Sequence, residues 1–144
     1  MAISNTARNQ LLSGIPGNLA FDGPTRVQTA ILDSSSAALN VFGNAFTVKN
    51  SANETVQAGG AGVFAGLMIN PKTYALDSAT LDNNTVAEFA LMGEVYAKMA
   101  SGVTVNEGDK VYFVPATGVL TTVSTNNTLI VGATVVRHAA STES

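Results

Sequence analysis

The chain has 144 residues, of which 46% are apolar and only 6% aromatic, with no cysteine and no tryptophan. A domain of this length buries about two thirds of the surface that its unfolded chain exposes, so one core is sufficient without disulfides. Charged residues make up 12% of the chain, the net charge is −3, and the seven basic residues are scattered. We therefore expect no nucleic-acid partner, and the lack of cysteine excludes disulfides and thiolate metal sites.

The first ten residues contain no apolar stretch of the kind that a secretory signal requires. No run of about 18 apolar residues occurs anywhere in the chain, as a membrane-spanning helix would need. We therefore expect a protein that is neither exported by the usual signal nor embedded in a membrane.

The chain is interpreted as three segments: an N-terminal arm at 1–23, a single β domain at 24–140 and a C-terminal tail at 141–144. The arm has no consistent period, and Gly14, Pro16 and Gly17 would stop any helix that begins before them. Ile15, Leu19 and Phe21 are too apolar to remain in water, so we expect the arm to lie on another surface.

The first predicted strand covers Thr25–Leu32. Its residues alternate, with Val27, Thr29 and Ile31 on one face and Arg26, Gln28 and Ala30 on the other. This period of two is typical of a half-buried strand. A second short strand is predicted at Ala45–Val48, followed by turn residues at Asn50–Asn53.

A glycine cluster leads into an apolar stretch at Gly59–Ile69, which Asn70-Pro71 ends. The length favours a buried strand, and the glycines indicate tight turns or the close approach of another chain. Gly60-x-Gly62-x-x-Ala65 formally matches a dinucleotide-binding fingerprint. No βαβ pattern surrounds it, so a structural role for these glycines is the preferred interpretation.

From Thr85 onward the pattern is that of β structure throughout. The first predicted strand is Phe89–Lys98, with a bulge at Gly93, and a short strand that begins with Val103 and Val105 follows it. Lys110–Val114 and Val119–Val123 are predicted to form a hairpin, and the last predicted strand is Leu129–Val136. Asn106–Asp109, Pro115–Gly118 and Ser124–Asn127 are predicted turns. Short strands separated by turns at intervals of about 8–12 residues predict a barrel or a sandwich.

Catalytic and metal-binding patterns are missing from the sequence. His138 is the lone histidine, and without cysteine a zinc site is not expected. No nucleophile elbow accompanies it. The acidic pairs Asp77/Asp82 and Glu107/Asp109 lie in turn-like sequence, where carboxylates normally face solvent or bond to local backbone. We therefore predict no enzyme activity, no cofactor and no metal.

Several segments of the chain resemble, in order and spacing, the structural cement (capsid decoration) proteins of tailed bacteriophages. The matching segments are Pro16–Ala20, Val63–Met68, Gly93–Ala97, Val103–Tyr112, Thr117–Thr121 and Val131–Ala133. Each motif is modest by itself, and their common order over most of the chain is the more specific feature.

The resemblance implies a mainly β fold, with a small β-barrel or β-tulip-like body of short antiparallel strands and an extended N-terminal arm. It implies a virion structural protein that decorates and cements the outer surface of an icosahedral capsid by bridging neighbouring major-capsid subunits. The implied partners are the major capsid protein and further copies of the chain, as a homotrimer or a dimer. The location would be the outer capsid surface, with assembly in the host cytoplasm.

The residues proposed for the interface are Ile15, Pro16, Leu19, Phe21, Phe64, Leu67 and Met68. Two alternatives share the β-rich, weakly charged composition. The first is another virion component, such as a head fibre base or a tail protein. The second is a non-catalytic binding module, which three tyrosines and no tryptophan make a poor fit.

Overall fold

A computed structural model describes residues 14–20, 23–70 and 80–136. These residues form eight strands: β1 (Arg26–Leu32), β2 (Ala45–Asn50), β3 (Thr55–Ala58), β4 (Phe64–Met68), β5 (Val86–Met92), β6 (Lys110–Phe113), β7 (Leu120–Thr121) and β8 (Thr128–Thr134). A single 3-10 turn at Ala37–Leu39 precedes β2, and the Ser36 hydroxyl caps it by accepting from the Ala38 N–H. The mainly β prediction is confirmed.

Five strands close into a barrel in the order β1-β3-β2-β4-β5, with β5 pairing back onto β1. Most of these pairs are antiparallel, as predicted. The contact between β1 and β3 is parallel, with Ile31 opposite Thr55. It is possible because the chain crosses to β2 before it returns through a turn to β3.

The barrel interior holds a few large side chains among many small ones. Leu32, Phe46, Met68 and Phe89 are fully buried there. Phe42, Val56 and alanines on β1, β3, β4 and β5 form the rest of the lining. A five-stranded barrel has a narrow interior, so it takes few large residues and otherwise needs small ones. The alanine-rich composition follows from this geometry.

The remaining strands form a second layer, a sheet of order β7-β6-β8. Val111, Phe113, Leu120 and Ile130 of this sheet pack with Ala45 of the barrel into a separate apolar cluster. Phe46, the next residue after Ala45, belongs to the barrel core. Because β2 is covered on both faces, consecutive residues of this strand are buried.

The two layers also meet through backbone contacts at the turn between β6 and β7. The Gly60 N–H donates to the Pro115 carbonyl at 2.7 Å, and the Ala45 N–H donates to the Gly118 carbonyl at 2.8 Å. A Cβ placed on Gly59, whose φ is +65°, would lie 2.3 Å from the Pro115 oxygen. The glycine cluster therefore permits close approach between two segments of the same chain.

A buried polar group lies at one end of the barrel. Asn83 accepts from the Ser34 N–H at 3.1 Å and from Asn40 Nδ2 at 2.9 Å, and it donates to the Ser34 carbonyl at 2.8 Å. The Ser34 hydroxyl accepts from the Ala58 N–H at 2.8 Å. These bonds join β3 to the segments that flank β1 and β5, and they pair the Ser34 backbone and the Asn40 amide N–H, while Asn40 Oδ1 has no hydrogen-bond partner among the described residues.

Some predicted elements differ from the structure. β3 was not predicted, and residues 103–105 form no strand. The strand predicted at Phe89–Lys98 begins earlier and ends at Met92, because Gly93 adopts a φ of +121°. In β1 the covered residues are Ala30 and Leu32, so the Val27 face points outward. Alternation assigns residues to two faces without stating which face another layer will cover.

Candidate interaction surface

The described part of the predicted arm, residues 14–20, lies along the chain that follows β5. The Gly17 N–H donates to the Tyr96 carbonyl at 2.8 Å, and the Ala20 N–H donates to the Glu94 carbonyl at 2.8 Å. Tyr96 returns a bond from its N–H to the Asn18 carbonyl at 2.9 Å. The Asn70 N–H also donates to Gly17. This segment, a turn at Pro16-Gly17 followed by a bridge at Leu19, is therefore docked onto its own β domain.

Glycine permits this docking at two positions. The aromatic ring of Tyr96 occupies the space where Gly14 would carry a side chain. Gly17 is buried with a φ of +85°, and a Cβ there would lie 2.7 Å from that of Phe42. The Pro-Gly element noted in the sequence therefore fits a closely packed turn.

The predicted interface residues of the arm have different environments. Ile15 is 62% exposed, whereas Pro16 and Leu19 are half-buried. Leu19 forms an isolated antiparallel bridge with Val95. Phe21 and residues 1–13 lie outside the described residues. Among the predicted interface residues in the described part of the arm, Ile15 thus has the most exposed side chain.

Met68 cannot serve in an interface as predicted. Its side chain is fully buried in the barrel core, next to residues of β1, β2 and β5. The sequence shows Met68 near the end of an apolar run, and such a run is typical of a strand whose two faces are both covered, here by the barrel core and by the second sheet. The structure therefore corrects this assignment.

Phe64 and Leu67 are half-buried and pack inside the molecule, between the barrel and the three-stranded sheet. The ring of Phe64 stacks on that of Phe113, with centroids 6.5 Å apart. The two residues share a side although they are three apart, because the pairing of β4 with β2 shifts at this point. Gly66 adopts a φ of +131° within this irregularity. Most of the apolar surface of Phe64 and Leu67 is thus covered by contacts within the chain.

Exposed apolar side chains occur elsewhere on the described residues, on several faces of the molecule. Val27 and Val86 lie on the outer face of β1 and β5, while Leu129 and Val131 lie on β8. Val63, at the entrance to β4, is also strongly exposed. Sequence reasoning did not select these residues, because a valine on an alternating strand has the same pattern whether its face is covered or free.

Charged side chains are spread over most of the chain and are missing from one stretch of it. No Asp, Glu, Lys or Arg occurs between Val111 and Val136, which includes β7 and β8. In the barrel, Lys49 and Asp33 form an ion pair at 2.9 Å, with both side chains about 40% exposed. Within residues 14–20, 23–70 and 80–136, no cluster of three potential metal ligands is found. His138 lies outside these ranges.

No helix in the described part of the chain has the length and apolar character needed to cross a membrane.

Comparisons with known proteins found a family match and a chain of similar fold. Residues 3–143 match the sequence model of a family described as structural cement protein (E217 gp24/Pam3 gp6). A chain from a solved structure titled "The capsid of Myoviridae Phage XM1" has the same fold, with a TM-score of 0.66 at 16% identity. That alignment covers 92% of this chain and 87% of the other. No match was found among curated protein sequences.

Proposed function

Since the chain belongs to the phage structural cement protein family, whose model matches residues 3–143, we propose that it cements the outer surface of an icosahedral head by bridging neighbouring major-capsid subunits. Family membership makes it a non-enzymatic structural protein of the virion that associates with capsid proteins. The family match carries the proposal. The location on the outer surface and the bridging of subunits are the parts of the proposal that go beyond the family match.

The distribution of exposed apolar side chains supports bridging. A protein that joins two subunits must offer at least two separate faces, since a single patch can only attach it to one of them. Val63 lies at the entrance to β4 of the barrel, Ile15 on the docked arm and Val123 just after β7 of the three-stranded sheet. These elements belong to different layers of the fold, so the molecule has apolar contact sites in more than one direction.

Rigidity of the body also supports this role. The barrel and the sheet share an apolar cluster and are joined by backbone hydrogen bonds at Gly60 and Ala45. These contacts would carry force applied at one layer to the other. Separating two bridged subunits would require breaking the contacts of the cement protein as well, and many copies on one shell would add these contributions.

We further propose that copies of the chain associate with one another on the head, as a trimer or a dimer. Neighbouring copies that touch would extend each local bridge over several subunits. A standard specific interface buries about 1,600 Å² in total, which is within reach of a domain of this size. The proposed capsid contact includes Ile15, with Pro16 and Leu19 beside it.

The test is reconstitution on heads assembled without this protein. Purified protein should co-sediment with such heads and raise the temperature at which they break open. Electron cryo-microscopy of the decorated heads should show density across the junctions between major-capsid subunits. Density located at the tail or at a head fibre, or heads whose disruption temperature does not change on saturation, would contradict the proposal.

A further inference from the structure

The strand β8 is one of the two edge strands of the three-stranded sheet. Among the described residues β8 pairs with one strand, β6, and no isolated bridge occupies its other side. Ile130 points into the cluster beneath the sheet. Leu129 and Val131 point away from it and are 40% and 89% exposed. The strand thus combines an edge that no other described strand pairs with and apolar side chains at the surface.

An irregularity makes Val131 prominent. Between the pairs Lys110–Thr134 and Tyr112–Leu129, two steps along β6 correspond to five steps along β8. The additional residues include Val131 and Gly132, and Gly132 adopts a φ of +80° with nothing within 4 Å of its Cβ position. The β8 chain therefore bulges outward at this point, and Val131 lies on the bulge.

Charge does not protect this edge. Edge strands of monomeric proteins are commonly guarded by Lys, Glu or Pro, which discourage pairing with another chain. The strand β8 contains none of these, and neither does the chain from Ala116 to Val136. The bulge at Gly132 is the one guarding feature seen on β8 in the described structure. An edge without charged residues or proline is suited to being covered in the assembled protein.

The distribution of charge also indicates which partner covers the β8 edge. The chain carries a net charge of −3, and all of its charged residues lie outside 111–136. Two copies that approach through their charged regions carry the same net sign and repel each other. Approach through β8 brings together strands that contain no charged residue, with Lys110 of β6 opposite Thr134 at one end. A partner with a basic surface would instead gain most from the acidic residues elsewhere on the molecule.

We infer that the β8 edge, with Leu129 and Val131 at its centre, is the surface through which a second copy of this chain binds. Backbone pairing along β8 and burial of the two exposed side chains would supply the contact. This inference rests on the self-association in the proposed function and adds to it the surface that is used. Head binding through Ile15 is independent of it.

The experiment compares the masses of three proteins by sedimentation over a range of concentrations. The wild type should form oligomers of the 14.7 kDa chain. In Val131→Lys the association constant should fall by at least about tenfold, because a lysine would bury its charge in the contact. Val86→Lys is the matched control, since Val86 is also an exposed strand valine, and its association should equal that of the wild type. Circular dichroism should show that all three are folded.

Salt provides a second readout. An interface without charge between copies of like net sign should be unaffected or slightly strengthened by added NaCl, because salt screens the repulsion. Marked weakening by salt would indicate an interface built on ion pairs and would overturn the inference.

Should Val131→Lys fail to fold, hydrogen exchange of the wild type replaces it. Exchange of residues 128–134 should slow as concentration rises, while exchange of residues 86–92 should not change.

Two other results would overturn the inference. A wild type that remains a monomer at every concentration, on heads as well as in solution, removes the self-association altogether. A wild-type oligomer that Val131→Lys leaves intact removes only the β8 assignment. Normal oligomers of Val131→Lys combined with lost head binding would assign β8 to the capsid protein. Failure of the wild type to bind heads, by contrast, contradicts the proposed function and not the β8 assignment.

Discussion

The ring of Phe46 lies against the ring of Phe89 inside the barrel, with centroids 5.1 Å apart and ring planes inclined at 55°. Both side chains are fully buried. They belong to β2 and β5, which are separated by β4 in the barrel order, so their contact crosses the interior. This tilted geometry is favoured for aromatic pairs and places the largest apolar groups at the centre of the core.

Loss of this contact should strongly destabilise the protein. For Phe89→Ala we expect the free energy of unfolding to fall by about 3–5 kcal/mol, because a narrow barrel cannot collapse around the cavity. Denaturant unfolding followed by circular dichroism measures the change. The control is Val86→Ala on the same strand, whose side chain is exposed and whose effect should remain within about 0.5 kcal/mol. Equal effects of the two substitutions would refute this account of the core.

The close approach of Gly59 to the turn between β6 and β7 leads to a second prediction. Gly59→Ala should destabilise the protein more than Gly102→Ala, by about 1–3 kcal/mol. Both glycines have positive φ, so both substitutions introduce backbone strain. Only at Gly59 does the added methyl group meet backbone, since nothing lies within 4 Å of the Cβ position at Gly102. Thermal and denaturant unfolding of the two variants should show this difference, and similar midpoints would disprove the steric explanation.

Asn83 provides a third prediction. Asn83→Ala should lower the free energy of unfolding by about 1–3 kcal/mol, because the buried Ser34 N–H and Asn40 amide lose an acceptor. Asn53→Ala in the exposed turn after β2 is the control and should change stability by less than about 0.5 kcal/mol. Hydrogen exchange at the Ser34 amide should accelerate in Asn83→Ala. An unchanged exchange rate would show that the Asn83 bond does not protect this amide.

Ile15 and Met68, both selected from the sequence as contact residues, should now behave differently. Ile15→Asp should reduce binding to undecorated heads by at least about tenfold while leaving the unfolding midpoint unchanged, as expected for an exposed apolar contact. Ser51→Asp, an exposed turn substitution with the same added charge, should bind heads normally.

Met68→Ala should have the opposite profile. Its free energy of unfolding should fall by about 2–5 kcal/mol because the side chain fills the barrel core. The protein that remains folded at low temperature should still bind heads. Sedimentation binding assays and unfolding curves on the same preparations separate the two effects. Loss of head binding in folded Met68→Ala protein would mean that the core substitution alters the contact surface.

Local sequence patterns predicted those elements whose signals lie close together in the chain. The hairpin of β6 and β7 follows from the alternation after Lys110 and from the Pro115–Gly118 turn, and both are present. The turn after β2 was predicted from its polar residues for the same reason. Such elements depend on neighbouring residues, so the sequence specifies them without knowledge of the rest of the fold.

Elements that depend on distant partners were not predictable in this way. The four residues of β3 are too few to show a period, and this strand owes its place to pairing with β1 and β2. The valines at 103 and 105 alternate as a strand would, yet no neighbour pairs with them in the described structure. Burial of Met68 and exposure of Val131 likewise depend on which layer covers each strand.

The sequence by itself therefore determined that this is a thin, weakly charged β protein without a catalytic or metal-binding pattern, because composition and short-range periodicity carry that information. The tertiary structure decided which face of each strand is buried, where the glycine cluster meets the second layer and which edge is left open. Those features arise from contacts between residues far apart in the chain. No local pattern encodes them, since alternation is the same for a strand face that is packed and for one that is free.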